Sequence, residues 1–298
     1  MLCLSLSSIL ILFSLYIKIE TGYILNKYVL TKMIEQSQLM KHIVFSYNTS
    51  LVKGNIIKRP SKVCKTPYVA DIIYNETEEA LAHTPSLGCC GLTDKGANVY
   101  MIEKEQKKTC HFSVELSILP NNNLVGCNPK MSENLLEYTI KNNLFHPLTD
   151  LNSYRREKKI LNSRFDFWGY DKDNTEFVLE VKTVPLAKYE EEHDCLVSYF
   201  PDGYRKSKKV VVSPRALKHI QELEQLKFEK KDKIRCILCF VIQRNDTKYF
   251  RPSNDDIIYK EALKKAYDNG VEIIPISFEW DHEGNCNYVN KNIPILWT

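Results

Sequence analysis

The segment at residues 177–184, Phe-Val-Leu-Glu-Val-Lys-Thr-Val, constrains the fold of this chain more than any other feature. It is rich in β-branched and aromatic residues, and its side chains alternate with a period of two, as in a β-strand. Glu180 and Lys182 fall together on one face of such a strand, opposite to Phe177 and Leu179. Charged side chains beside valines on a half-buried face lose hydration free energy unless they are paired or used. The segment therefore predicts a core strand that carries a chemical site.

The surroundings of this Glu-x-Lys triplet separate it from the others in the chain. Similar triplets occur at residues 105–107, 157–159 and 229–231, but these lie in polar, lysine-rich stretches. Charges in such stretches are solvated in most proteins, so these three triplets are predicted to lie on the protein surface. Only the triplet that begins at Glu180 is embedded in an apolar strand.

The preceding apolar segment, at residues 164–168, supplies a second carboxylate. Strand alternation predicts that its two phenylalanines share one face and that Asp166 lies on the other. The sequence at residues 171–174, Asp-Lys-Asp-Asn, is a strong turn signal and joins this segment to the strand at residues 177–184. We therefore expect Asp166 to lie close to Glu180.

Two explanations account for Asp166, Glu180 and Lys182 on adjacent strands. One is a salt-bridged trio, which contributes little to stability when it is exposed. The other is a hard-cation site, in which the two carboxylates and a backbone carbonyl hold Mg²⁺. Lys182 would then orient or help to deprotonate an attacking water, and the metal would stabilise charge on a phosphate.

The rest of the C-terminal half indicates a mixed sheet with helices on its faces. A turn-rich break, from Asn121 to Pro129, separates it from the N-terminal half. Ser132 is predicted to cap a first helix, Ser213 with Pro214 a second, and Asp255 or Asp256 a third that stops at Gly270. The run at residues 234–242 is apolar on both faces, as in a central buried strand, and residues 271–278 form a further strand. This order predicts an α/β domain.

The N-terminal half, in contrast, consists of short strand-like segments with little helical periodicity. These segments fall at residues 43–47, 52–57, 68–74, 98–103 and 111–118. Several short strands joined by turns predict a small all-β barrel or sandwich.

The distribution of charge and cysteine narrows the class of protein further. The formal net charge is only +4, but residues 36–70 contain no acidic side chain and include Lys53, Lys58, Arg59 and Lys62. This basic stretch either is a solvated surface or follows the phosphates of a polyanion. Ten cysteines in a chain of this size do not indicate a disulfide scaffold. Cys236 and Cys239 would point to opposite faces of a strand and so cannot grip one metal.

Residues 1–40 are left out of the fold prediction because residues 2–17 are almost wholly apolar. This run fits a signal peptide, a signal anchor or the start of an organelle-targeting leader. The expected location is the cytoplasm or nucleus if the segment is not used, and otherwise an organelle. A membrane partner is expected only if the segment is retained.

Six ordered motifs resemble those of the sugar fermentation stimulation protein family. They begin at Asn162, Glu180, Phe200, Lys218, Phe240 and Gly270, and the N-terminal half adds Leu51-Val-Lys-Gly54 and His83-Thr-Pro-Ser-Leu-Gly88. The resemblance implies an OB-like β-barrel domain at residues 41–120, a restriction-endonuclease-like α/β domain of the PD-(D/E)xK class at residues 130–282, and a tail at residues 283–298. It also implies that the protein binds DNA.

The resemblance assigns roles to individual residues. Asp166 and Glu180 would hold Mg²⁺ or Mn²⁺, with Lys182 as the catalytic lysine. Glu157 matches a family glutamate and either completes the metal site or belongs to the charged run at residues 155–159. The residues expected to contact nucleic acid are Lys53, Lys58, Arg59, Lys62, His83, Arg164, Arg205, Lys206, Arg215 and His219, although each histidine also fits a purely structural role.

The chain departs from the family pattern in two places. The family's Cys-Pro-Asn-Thr-Gly is replaced by Thr84-Pro-Ser-Leu-Gly88, and the basic insert at residues 204–213 stands where the family has Thr-Glu-Arg-Gly. The triad itself is intact. Two functions therefore stay open: a metal-dependent nuclease, with DNA favoured over RNA and no sugar substrate, or a DNA-binding regulator that does not cut.

Overall fold

A computed structural model describes residues 42–106, 109–201, 211–290 and 292–297. Within these ranges the chain forms three α-helices, two short 3₁₀ helices and sixteen strands. The helices are α1 (Pro129–Lys141), α2 (Pro214–Lys230) and α3 (Ile257–Asp268). The strands are β1 (His42–Ser46), β2 (Val52–Lys58), β3 (Val69–Tyr74), β4 (Glu78–His83), β5 (Asn98–Glu103), β6 (Phe112–Ile118), β7 (Leu124–Gly126), β8 (Ser153–Ile160), β9 (Ser163–Tyr170), β10 (Glu176–Thr183), β11 (Ala187–Glu190), β12 (Cys195–Phe200), β13 (Ile234–Ile242), β14 (Thr247–Pro252), β15 (Glu272–Trp280) and β16 (Asn285–Asn290).

A seven-stranded mixed sheet forms the centre of the C-terminal half, in the order β1-β16-β15-β13-β10-β9-β8. Strand β13 lies parallel to both β10 and β15, and the remaining pairs are antiparallel. Side chains of α1 pack on one face of the sheet, and those of α2 and α3 pack on the other. Burial on both faces explains why β13 is apolar throughout, and the predicted α/β fold is confirmed.

The order α1, β8-β9-β10, α2, β13 is restriction-endonuclease-like. Strands β8, β9 and β10 form an antiparallel meander, of which hydrophobic patterning predicted β9 and β10 but not β8. Strand β8 is the edge of the sheet and reads Ser-Tyr-Arg-Arg-Glu-Lys-Lys-Ile. Its side chains alternate between exposed and half-buried rather than buried. A charged edge strand resists pairing with another chain, so its composition has a physical reason that hydrophobic patterning does not detect.

The N-terminal half contains a closed, OB-like barrel. Strands β4-β3-β2-β5-β6 are hydrogen-bonded in this order, and β4 pairs with β6 to close the circle, while β7 extends the sheet beyond β6. Its interior is filled by Ile56, Ala70, Ile72, Ala82, Val99, Met101, Phe112 and Val114. The sequence prediction missed β4, since its first two residues are exposed glutamates.

The segments just inside the predicted limits at residues 41 and 283 both belong to the central sheet. Strand β1 does not belong to the barrel but pairs antiparallel with β16, opposing Phe45 to Cys286. Tyr47, just beyond β1, stacks on Trp280 with ring centroids 5.4 Å apart. Residues 285–290 therefore form the strand beside β15 rather than a tail. Each terminal segment buries apolar side chains on the other, and this long-range pairing leaves no local signal in the sequence.

The predicted state of the cysteines agrees with the structure. Free thiols are found at Cys64, Cys89, Cys110, Cys127, Cys195, Cys236, Cys239 and Cys286. Cys236 and Cys239 pack in separate clusters on the two faces of the sheet. In the same ranges no helix is long and apolar enough to cross a membrane. The apolar run at residues 2–17 lies outside the described residues.

Gly169 in β9 is the position where an added methyl group should disturb the meander most. A Cβ there would lie 2.1 Å from the carbonyl oxygen of Ser153 and 2.8 Å from Cα of Tyr154. These are backbone atoms of β8 and cannot rotate away. We expect Gly169→Ala to lower the free energy of unfolding by about 3 kcal/mol, measured by urea denaturation. Ser153→Ala on β8 adds no atom and serves as the control, and a loss below about 1 kcal/mol for Gly169→Ala would contradict this packing.

Candidate active site

Asp166 lies where β9 and β10 separate. The two strands pair from Glu176–Tyr170 as far as Leu179–Phe167, and then their ladder ends. The backbone N–H of Val181 is thereby released from the ladder and donates to Oδ2 of Asp166 over 2.7 Å. The divergence of the two strands therefore creates the space that the Asp166 carboxylate occupies.

The separation also corrects the predicted faces of β9. Phe165 packs on the α2 side of the sheet, whereas Phe167 packs on the α1 side, so the two phenylalanines do not share one face. The register between β8 and β9 is the same on both sides of this point, but Glu157 and Asp166 are left out of the pairing, and φ of Glu157 is +55°. The backbone is therefore locally irregular here, and regular alternation in the sequence cannot reveal it.

Strand β10 keeps the predicted alternation. Leu179 and Val181 pack on the α1 side, and Val178 packs on the α2 side. Glu180 has the same parity as Val178, and its carboxylate meets α2, where Oε1 accepts hydrogen bonds from Nζ of Lys182 and Nδ1 of His219. Its other oxygen, Oε2, is buried without a hydrogen-bond partner. Lys182 is half-buried and holds its ammonium against Glu180.

The two carboxyl groups titrate in opposite directions. The pKa of Asp166 is raised to about 7, mainly by burial and next by the charge of Glu180. Burial also acts to raise the pKa of Glu180, but the charge of Lys182 and the hydrogen bond from His219 outweigh it, so that pKa lies below its ordinary value. Two neighbouring carboxyls with separated pKa values are typical of functional sites, although structural ion-pair networks show the same behaviour.

Asp166, Glu180 and Lys182 line one cavity of about 380 Å³. The barrel contributes to its wall as well as the sheet, because the segment after β4 reaches into it. The first turns of α1 and α2 complete the wall. Residues from these elements that line the cavity include Ser86, Gly88, Glu133, Ser213 and Arg215, and Phe200 at the end of β12 joins them.

Glu133 is the cavity residue that the sequence prediction missed. It lies on α1, its carboxylate pairs with Arg156 of β8, and its charge contributes to raising the pKa of Asp166. The sequence predicted that Ser132 caps this helix, which would leave Glu133 at a solvated end. The cap is instead Asn128, whose side chain accepts from the N–H of Lys130. A helix that starts at Pro129 brings Glu133 one turn inward, to the cavity.

The start of α1 is fixed to the sheet by buried polar contacts. Ser132 Oγ accepts from Thr183 Oγ1 at 2.7 Å and from Gln243 Nε2 at 2.8 Å. The backbone carbonyl oxygen of Gln243 also accepts a hydrogen bond from the backbone N–H of Gly126, at 2.9 Å. A Cβ at Gly126 would lie 2.2 Å from Gln243 Oε1, so this close approach requires glycine. Together the contacts position Glu133 relative to β10.

The structure does not bring Glu157 to this cavity. Its exposed carboxylate accepts from Nη1 of Arg164 at 3.0 Å, and neither residue lines the cavity. The alternative interpretation, that Glu157 belongs to the charged run on β8, therefore fits the structure, and Glu133 occupies the neighbourhood that Glu157 was expected to fill.

The predicted nucleic-acid contacts divide into several groups. The side chain of Arg59 is nearly buried and donates to the backbone oxygens of Pro67 and Ser86 over 2.7 Å each. It thereby holds the loop that lines the cavity and is not placed to contact nucleic acid at the surface. His219 is buried beneath Glu180 and is likewise not a surface contact. Arg215 is exposed at the cavity, and Arg164 is exposed but bound to Glu157.

The remaining candidates lie on the barrel or outside the described residues. Lys53, Lys58 and Lys62 are exposed on the barrel and do not line the cavity. His83 on β4 is half-buried, and burial, followed by the charge of Lys104, lowers its pKa. Arg205 and Lys206 lie in the range 202–210, which the structure does not describe.

Asp166 and Glu180 are the candidate ligands for a divalent cation. Among the described residues, no group of three or more His, Cys, Asp or Glu side chains is arranged to hold a metal ion. Asp166 and Glu180 thus offer two carboxylates, one with a buried oxygen that lacks a partner. Mg²⁺ is commonly held by one or two carboxylates and keeps several waters, so a two-carboxylate site fits it.

The chain combines a restriction-endonuclease-like α/β domain with an OB-like barrel. The sugar fermentation stimulation protein RE domain family matches residues 130–284, slightly more than half of the sequence. The chain therefore belongs to the sugar fermentation stimulation protein family. Its homolog in Clostridium novyi (strain NT) is 28% identical over 250 residues, covering 83% of this chain and 96% of the relative. The homolog in Alteromonas mediterranea is 25% identical over 260 residues, covering 84% and 99%.

A solved structure has the same fold across both domains. The structure of Pyrococcus furiosus SfsA in complex with Ca²⁺ superposes with a TM-score of 0.71. The match covers 85% of this chain and 99% of that chain, at 20% sequence identity. This likeness establishes the fold of the barrel together with the sheet.

Proposed function

We propose that the protein is a metal-dependent nuclease that hydrolyses phosphodiester bonds of nucleic acid. The observation that carries this proposal is the meeting of Asp166, Glu180 and Lys182 at one cavity, with a buried oxygen of Glu180 left without a hydrogen bond. A purely structural trio would be expected to satisfy both oxygens of a buried carboxylate, because an unsatisfied one destabilises the fold.

Asp166 and Glu180 would hold the cation, Mg²⁺ or Mn²⁺. Bound there, it would supply positive charge to the phosphate and acidify a coordinated water. Asp166 is held in place by the N–H of Val181, so its carboxylate is oriented before any cation arrives. The related Pyrococcus furiosus protein was solved with Ca²⁺, a cation that also prefers oxygen ligands, and this supports the proposal.

Lys182 would act on the attacking water. In the structure its ammonium lies against Glu180 and 3.3 Å from His219. If a cation shared the charge of Glu180, the hold on this ammonium would weaken, and Lys182 could turn to orient a water or, after losing its own proton, take one up from that water. The side chain is half-buried at the cavity wall, within the space that a scissile phosphate would enter.

Nucleic acid is the partner class that the exposed basic residues favour, and DNA is favoured over RNA by the family resemblance. Arg215 stands at the cavity rim, where it would meet a phosphate. Lys53, Lys58 and Lys62 of the barrel would add electrostatic attraction away from the site. A sugar is not proposed as the substrate.

A second function is favoured by a specific observation. Lys182 is engaged with Glu180 and no third ligand completes a metal cluster among the described side chains. The same contacts would be found in a DNA-binding regulator that keeps the nuclease fold but does not cut DNA. In that case the trio would be an internal ion pair.

Glu180→Gln separates the two functions. The wild-type chain, the variant and Glu157→Gln are incubated with labelled DNA and RNA in Mn²⁺ or in EDTA. We expect cleavage by the wild type and Glu157→Gln only with Mn²⁺, and none by Glu180→Gln, because an amide is a poorer cation ligand than a carboxylate. Glu157 is the matched control, since it begins the exposed triplet on β8. Binding without cleavage by all three proteins would refute the nuclease and favour the regulator.

A further inference from the structure

His219 contacts both charged residues of the site from the helix side of the sheet. Its Nδ1 is hydrogen-bonded to Oε1 of Glu180 and lies 3.3 Å from Nζ of Lys182. Lys182 donates to the same oxygen. One oxygen of Glu180 therefore takes both contacts, and Oε2 takes none.

His219 cannot contact a substrate directly. Only 3% of the residue is exposed, and it does not line the cavity. Its ring packs beside Phe165, with centroids 5.7 Å apart, and α2 carries it into the apolar cluster between helix and sheet. The polar contacts described for this buried imidazole are with a carboxylate and an ammonium, so it acts through them.

We propose that His219 is a positioning residue that holds Oε1 of Glu180 and so reserves Oε2 for the cation. This inference rests on the proposed function. A residue that hydrogen-bonds a ligand's second oxygen fixes the orientation of the ligand, and loss of such a residue typically weakens metal affinity about 10- to 100-fold.

The two donors to Oε1 differ in how they would respond to a cation. The ammonium of Lys182 is repelled by positive charge held at Glu180, so it is the donor that leaves. The ring of His219 is fixed by packing on α2 and keeps its contact. The arrangement thus lets Lys182 move to a water while Glu180 stays in place.

Three substitutions test this role in the full chain. His219→Asn can present an amide N–H near the place of Nδ1, His219→Gln presents its amide near the place of Nε2, and His219→Leu has no donor. Ca²⁺ affinity is measured by calorimetry, and kcat and KM are measured with Mn²⁺ on labelled DNA. We expect His219→Leu and His219→Gln to lose about 10- to 100-fold in Ca²⁺ affinity and in kcat, with KM for DNA little changed. His219→Asn should recover most of both.

Melting temperatures of the variants show whether a loss of Ca²⁺ affinity comes from lost positioning of Glu180 or from damaged packing around residue 219. Should His219→Leu fail to fold, the comparison of Asn with Gln decides alone, since the two amides differ only in reach. Equal Ca²⁺ affinity in the wild type and all folded variants would overturn the inference, as would equal losses in Asn and Gln. A wild type that binds Ca²⁺ but cuts nothing refutes the nuclease while the inference is still decided by affinity, and a wild type that binds no Ca²⁺ refutes both.

Discussion

Asp166→Asn is expected to make the metal-free protein more stable at pH 8 while removing its response to cations. The pKa of Asp166 is raised from 3.8 to about 7, so between these pH values the folded chain keeps a proton that the unfolded chain releases. Stability from this group is present below pH 3.8 and is lost as pH rises through 7. At pH 8 the ionised carboxylate destabilises the fold by roughly 2 to 4 kcal/mol.

Asparagine stays neutral and keeps an oxygen to accept from Val181, so it avoids this penalty. In EDTA at pH 8 we expect the variant to melt about 5 to 10 °C above the wild type, with the difference disappearing near pH 4. Added Mn²⁺ should raise the melting temperature of the wild type, because ligand binding stabilises the folded state, but not that of the variant. Scanning calorimetry measures both effects.

Asp71 of the barrel provides a control of opposite sign. It too is buried, but hydrogen bonds from Ser61 at 2.6 Å and from the N–H of Lys62 at 2.9 Å outweigh burial and lower its pKa. Asp71→Asn should therefore destabilise the protein at pH 8. If Asp166→Asn were destabilising as well, Asp166 would be a structural carboxylate, and the site would lose its main electrostatic signature.

Lys182→Met is expected to lower cleavage about 10²- to 10⁴-fold without preventing cation binding, since methionine keeps the volume and removes the proton-transferring group. Single-turnover cleavage with Mn²⁺ and calorimetric titration with Ca²⁺ measure the two properties separately. In EDTA the variant should also be less stable, because Glu180 loses its only lysine partner among the described contacts.

The matched control is Lys159→Met, at the end of the exposed Glu-x-Lys triplet on β8. It should leave cleavage within about twofold of the wild type. Loss of Ca²⁺ binding in Lys182→Met, in parallel with cleavage, would place the lysine in the support of the metal site rather than in the chemistry. Unchanged cleavage would remove it from the mechanism.

The sequence predicted those parts of the site that depend on a regular strand. The alternation in β10 located Glu180 and Lys182 on one face, and the apolar segment before it located Asp166 close by. The central strand β13 and the starts of α2 and α3 at Ser213 and Asp256 were also predicted correctly. In these elements local pattern and tertiary burial agree.

The missed features depend on contacts that are distant in sequence or on irregular backbone. Glu133 reaches the cavity only because α1 begins at Pro129, and the helix start is held by Gln243, which follows β13 far along the chain. His219 was expected either to contact nucleic acid or to be structural, and the packing of α2 turns it under Glu180. The irregular backbone at Asp166 breaks the alternation of β9. Edge strand β8 carries no apolar pattern at all.

Crystals of the wild type soaked in Mn²⁺ would show whether Asp166 and Glu180 hold a cation. Anomalous scattering locates the cation independently of any assay. We expect one strong peak in the cavity, within bonding distance of both Asp166 and Oε2 of Glu180, with Lys182 moved away from Glu180. A cavity without a peak, in crystals where Lys182 and His219 both still hold Glu180, would contradict it.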